Sequence, residues 1–182
     1  MTRSLAIMEF QEAFMHRLLQ IGGFLRLGNL VHTRGPKYSI MEYFPGLDKV
    51  RAVRRIFGRD TDEVLQSLKV EFTWIGSYMW VNDSDGHLMV NSKYLKNGDR
   101  LEIYLDIIHE LVHVKQHREG KQLFDNRYSY VDRPTEIEAY RYAIKEARRL
   151  GLTDQRICNY LKTEWMTKKD FRKLAGTLKI EC

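Results

Sequence analysis

Residues Leu101 to Arg118 contain the run His109-Glu110-Leu111-Val112-His113, which fits the pattern H-E-x-x-H. On a helix, positions i and i+4 lie one above the other, so both imidazoles reach one point beside the axis. Two nitrogens at roughly 2.0–2.1 Å hold a zinc ion there. Glu110, next to the first histidine, leans towards the same point and can take a proton from water bound to the ion. The chemistry this spacing predicts is hydrolysis of a peptide bond, with Glu110 as general base and then as proton donor to the leaving amine.

A catalytic zinc site takes three protein ligands and keeps a fourth position for water. Glu136, Glu138, Glu146 and His117 are the candidates for the third. On a helical wheel centred on Glu136, Tyr140, Ala143, Ala147 and Leu150 all fall within about 40°, so Glu136 sits mid-face on the side that packs inward. A carboxylate there needs a partner or a metal. Glu138 lies about 200° round, beside Arg141, Lys145 and Arg149, where an ion pair and a capping box with Thr135 give it a structural task. The wheel therefore favours Glu136. His117, one turn beyond His113, is expected at the rim or behind the ligands, because a fourth protein ligand would close the site. Tyr128, Tyr130 and Tyr140 are candidates for the donor that a tetrahedral oxyanion requires.

Two stretches carry a family resemblance: His109-Glu110-Leu111-Val112-His113, and Glu136-Ile137-Glu138-Ala139, which looks like the E-x-E-A segment of the CAAX-protease and HtpX-type peptidases and of the ImmA/IrrE-type peptidases. Over about 69–150 the chain resembles a minimal soluble gluzincin. That likeness implies a zincin-like metallopeptidase with zinc on His109, His113 and Glu136, and a strand, here His87 to Asn91, that pairs with extended substrate. Those families often place Asp or Asn four residues after the ligand glutamate. Tyr140 stands there instead, which leaves Asp106 or Asn91 to orient a histidine.

Stepping outward, Ile103, Ile107, Leu111 and Val114, with Ile108 and Val112, predict a buried helix that turns polar at Lys115, Gln116 and Arg118. Upstream, Val70–Ile75, Tyr78–Val81 and His87–Asn91 read as strands, joined by the turn signal Asn82-Asp83-Ser84-Asp85-Gly86. A meander of three antiparallel strands is expected. Helices are predicted over 3–20, from Leu47 to Phe57, from Asp60 or Thr61 through Leu68, from Pro134 to about Leu150, from Asp154 to about Trp165, and after Thr167. Asp60 or Thr61, Thr153 and Thr167 are their capping residues, and 24–47 is expected to be irregular. The expected fold is α+β and zincin-like: a small antiparallel sheet packed on the motif helix and the second ligand helix. One domain of 182 residues is expected, with a core over about 69–150, a helical part at 1–68 and a basic helical part at 151–182.

The net charge is +6, and its placement matters more than its size. Residues 1–140 hold nineteen Lys/Arg and nineteen Asp/Glu, whereas 141–182 hold eleven and five. This basic end supports a rival reading, a zinc-stabilised module that binds nucleic acid or a protein partner without catalysis. A third reading is a latent protease in which the thiolate of Cys182 takes the open zinc position. The two cysteines, Cys158 and Cys182, lie far apart in the sequence, which argues against a disulfide scaffold and for a reducing compartment. With no signal-peptide layout and no apolar run long enough to span a membrane, a cytoplasmic location and a peptide or protein substrate are expected.

Overall fold

The computed structural model describes residues 36–76 and 78–182. They divide into two compact units, with the boundary between Ile103 and Tyr104. The helix expected over 3–20 lies outside the described residues. The architecture is α+β, with helices and a small mixed sheet.

The first unit carries the sheet: β1 (Lys37–Ser39), β2 (Lys69–Thr73), β3 (Met79–Val81) and β4 (Leu88–Asn91). Their order is β1-β2-β4-β3, with β2 and β4 parallel and the other two pairings antiparallel. This corrects the expected meander. The three segments do form strands, but β4 inserts between β2 and β3. Leu88 and Val90, which share one face of the strand, are fully buried, and the central place gives the β4 backbone hydrogen-bond partners on both edges. The turn that returns β3 onto β4 closes as expected, with Gly86 N–H donating to the Asn82 carbonyl and Gly86 at φ 75°. The passage from β2 to β3 is held by Asn91, whose side-chain amide donates to the Gly76 carbonyl. Gly76 has φ 81°, and a Cβ there would meet the Trp80 ring at 2.7 Å.

Residues 37–43, expected to be irregular, instead form β1 and the short helix α1 (Ile40–Tyr43). Ile40 is fully buried and its N–H donates to the Leu68 carbonyl. The helix expected from Leu47 to Phe57 is split. A 3-10 turn covers Leu47–Lys49, Val50 is extended, and α2 runs over Arg51–Phe57 to Gly58 at φ 61°. Helix α3 (Thr61–Ser67) follows without a side-chain cap, since the Thr61 hydroxyl donates back to the Gly58 carbonyl. Helix α4 (Ser92–Asn97) was not anticipated. Its cap is Asn91, which accepts from the Lys93 and Tyr94 N–H groups.

Helix α5 (Arg100–Arg118) holds the motif. The Asp99 carboxylate caps it by accepting from Leu101 and Glu102 N–H. Leu105, Ile107, Ile108, Leu111 and Val112 are fully buried, as the apolar stripe requires. In the second unit, α6 (Pro134–Arg149) begins with proline at its first turn, where a missing N–H costs nothing. Ala139, Ala143 and Ala147 are fully buried, and their small side chains allow close packing. The Tyr104 hydroxyl donates to Glu146 Oε1 at 2.6 Å, and Arg149 pairs with the same carboxylate, which ties α5 to α6. Helix α7 (Asp154–Leu161) is capped by Thr153, and α8 (Lys168–Leu178) by Thr167 in a capping box with Asp170. α7 ends at Leu161 rather than near Trp165.

The cysteine reading is overturned: Cys158 and Cys182 form a disulfide. Lys179 takes a left-handed conformation at the end of α8 and Ile180 is buried. The chain therefore turns back and brings Cys182 to Cys158 on α7. No thiolate is left to enter a metal site from Cys182, and the cysteines do not argue for a reducing compartment. Among the described residues, no helix is long and apolar enough to cross a membrane.

Candidate metal centre

Helical spacing on α5 puts His109 and His113 on one face, with Nε2 atoms 3.0 Å apart. From the first turn of α6, Glu136 Oε2 lies 3.2 Å from His109 Nε2 and 3.5 Å from His113 Nε2. Three donors at zinc-ligand distance, spread tetrahedrally, stand roughly 3.3 Å apart. The triangle of 3.0, 3.2 and 3.5 Å therefore fits a common ion. His109, Glu110 and His113 are all buried, and one potential ligand atom of each lies within 4.8 Å of the others. This group can hold a metal ion.

Electrostatics point the same way. Burial alone raises a carboxyl pKa, but the hydrogen bonds from His109 and His113, with the charge of His113, hold Glu136 well below the carboxylate range. Burial pushes His109 down, towards the neutral imidazole a metal needs. Burial also disfavours charge on His113, yet its hydrogen bond to Glu136 and the field of Glu110 outweigh that and raise it to about 9. The cluster thus gathers a carboxylate, a ring kept neutral by burial and a second ring whose charged form the neighbouring carboxylates favour. The Arg133 guanidinium stands 3.6 Å from Glu136 Oε1 and adds positive charge beside it.

Around this core the expected residues separate. Tyr140 lies edge-on to His109, ring centroids 4.5 Å apart, and its hydroxyl is 3.0 Å from that of Tyr130. Burial raises both phenols above their ordinary range, so both stay protonated donors. Tyr130 in turn meets Trp165 edge-on at 4.6 Å. Tyr128 is exposed under the Arg127 guanidinium and shares none of these contacts. His117 is half-buried and outside the metal group. Glu146 is engaged with Tyr104 and Arg149, away from the histidines. Glu138 does not cap Thr135: the cap position is Arg133, and the Thr135 hydroxyl donates to the Leu123 carbonyl. Nor does it pair with the Arg141, Lys145 and Arg149 side, since it accepts from Gln116 and Lys121.

The residue the sequence reading missed is Gln116. Taken there as the polar exit of the helix, it is fully buried, with Oε1 2.7 Å from His113 Nδ1 and Nε2 donating to the Thr135 carbonyl and to Glu138, each at 3.0 Å. Its spacing from His109 and His113, i+7 and i+3, marks the same helix face and could have revealed it. Asn91, one of the two residues named for orienting a histidine, is committed to its cap and to Gly76, and His109 Nδ1 is buried without a hydrogen-bond partner among the described residues.

The strand His87–Asn91 also loses its expected role. Both sides of β4 are taken by β2 and β3, so no backbone edge remains there for a substrate. No model of a known protein family, no curated protein and no solved structure matches the chain, so the centre rests on its own geometry.

Proposed function

We propose that this chain is a zinc-dependent peptidase of zincin-like fold, with His109, His113 and Glu136 as metal ligands and Glu110 as general base. The observation that carries the reading is the near-equilateral triangle of two imidazole nitrogens and one carboxylate oxygen, with a second buried carboxylate, Glu110, beside it. A bound divalent ion supplies Lewis-acid polarisation of a carbonyl and acidifies water. The protein's own groups do the rest. Glu110 is close enough to the imidazoles to take a proton from a water at that point, but it lies outside the ligand triangle. It carries that proton to the leaving amine. The site is buried, since His109, Glu110, His113 and Glu136 are all largely withdrawn from solvent, and that burial strengthens each charge interaction. The paired hydroxyls of Tyr130 and Tyr140, the latter on the ring that packs against His109, suit the developing oxyanion.

The test is Glu110→Gln in zinc-loaded protein, assayed on an unfolded protein substrate, with zinc content measured alongside. The expected result is retained zinc with hydrolysis lowered by a factor on the order of 10² to 10⁴. Unchanged hydrolysis rejects Glu110 as the base. Absence of hydrolysis in a zinc-loaded wild type favours the non-catalytic module.

A further inference from the structure

Gln116 has two ends that differ chemically, and its surroundings decide which end faces which way. One end meets the Thr135 carbonyl and a Glu138 oxygen, each at 3.0 Å. A backbone carbonyl only accepts hydrogen bonds, so that end must be the NH2 group, whatever the state of Glu138. The other end is therefore the carbonyl oxygen, which only accepts. It stands 2.7 Å from His113 Nδ1, so that nitrogen must carry the proton. A ring protonated at Nδ1 keeps the lone pair of a neutral imidazole at Nε2. Nε2 is the atom that lies 3.0 Å from His109 Nε2 and 3.5 Å from Glu136 Oε2.

We propose that Gln116 is a positioning residue: held by the Thr135 carbonyl, it fixes His113 with its proton on Nδ1 and reserves Nε2 for the metal. The inference rests on the metal reading above. It adds that the start of α6 controls the metal site twice, through the Glu136 side chain and through the backbone of the residue before it. The asymmetry within the site supports a specific role. His109 Nδ1 has no such partner among the described residues, so Gln116 is the group that orients one ring of the pair.

The test uses full-length protein labelled with ¹⁵N at histidine and loaded with Zn²⁺ alone. Long-range ¹H–¹⁵N spectra of the wild type read which His113 nitrogen holds the proton, and competition against a chelator reads zinc affinity in wild type and Gln116→Met. The expected spectrum has a proton on His113 Nδ1, slow to exchange with solvent, and the variant binds zinc about ten- to a hundredfold more weakly. A zinc-loaded wild type with the proton on Nε2 overturns the inference, as does a folded variant of undiminished affinity. If Gln116→Met does not fold, the wild-type spectrum decides alone. A wild type that takes up no zinc overturns the metal reading, and this inference with it, which separates that failure from the other two.

Discussion

Tyr140 stands beside the candidate metal ligands and makes two contacts of different kinds. Tyr140 touches His109 by its ring and Tyr130 by its hydroxyl, and the two contacts separate by mutation. Tyr140→Phe keeps the ring and removes the hydroxyl, and Tyr130→Phe does the same from the other side. Each single variant is expected to lose about 1 kcal/mol of stability in denaturant unfolding. The double variant should lose clearly less than the two losses added, because one shared bond disappears once. Full additivity would show that the hydroxyls do not bond to one another. The residue scale was also the most legible from sequence. His109, Glu110 and His113 follow from spacing alone, and Glu136 from the wheel, because helix geometry converts position directly into direction. Gln116 was illegible to hydropathy because a buried polar residue looks, letter by letter, like a surface one. What distinguishes it is a backbone carbonyl from another helix, which no local pattern encodes.

Among the elements, helices were read more faithfully than the sheet. Caps at Thr153 and Thr167 depend on residues three apart and appear as expected. Strand order depends on contacts distant in sequence, and alternation in β4 does not say whether its neighbours run parallel or antiparallel. The sheet has its own electrostatic latch. Asp85, in the turn between β3 and β4, takes hydrogen bonds from Lys37 at the start of β1 and from His87, while Glu71 on β2 lies 3.3 Å from the other nitrogen of His87. Partial burial raises the Asp85 carboxyl, but its bonds from Lys37 and His87 outweigh that and lower it from 3.8 to about 2. A carboxyl lowered on folding contributes stability above pH 3.8, and that contribution fades as pH falls towards 2. Asp85→Asn should therefore unfold more readily than wild type near neutral pH, with the gap in midpoint narrowing between pH 4 and 2. A gap that stays constant over that range would remove Asp85 from the latch.

For the molecule as a whole, the sequence reading misjudged how the C-terminal end is secured. Two cysteines 24 residues apart were expected to stay unpaired, yet they are joined. The signal lay in the elements between them, two amphipathic helices with buried Ile157, Leu161, Leu174 and Leu178, followed by a turn at Lys179 that returns the last residues to α7. Closing a loop of this length restricts the unfolded chain, which stabilises the folded one by roughly 3 kcal/mol. Lys173 adds an exposed pairing with Asp132 in the segment before α6, too solvated to contribute much by itself. The bond lies in α7 and the C-terminal residues, whereas the ligand triangle lies on α5 and α6. Reduction should accordingly lower the melting temperature by several degrees or more and leave zinc affinity within about threefold of the oxidised protein. The Cys158→Ser, Cys182→Ser double variant should melt like the reduced protein and no longer respond to reductant. Loss of zinc on reduction would mean that the disulfide holds α6 in place and that the centre depends on the redox state of the chain's end; unchanged melting would mean that the helices alone secure that end.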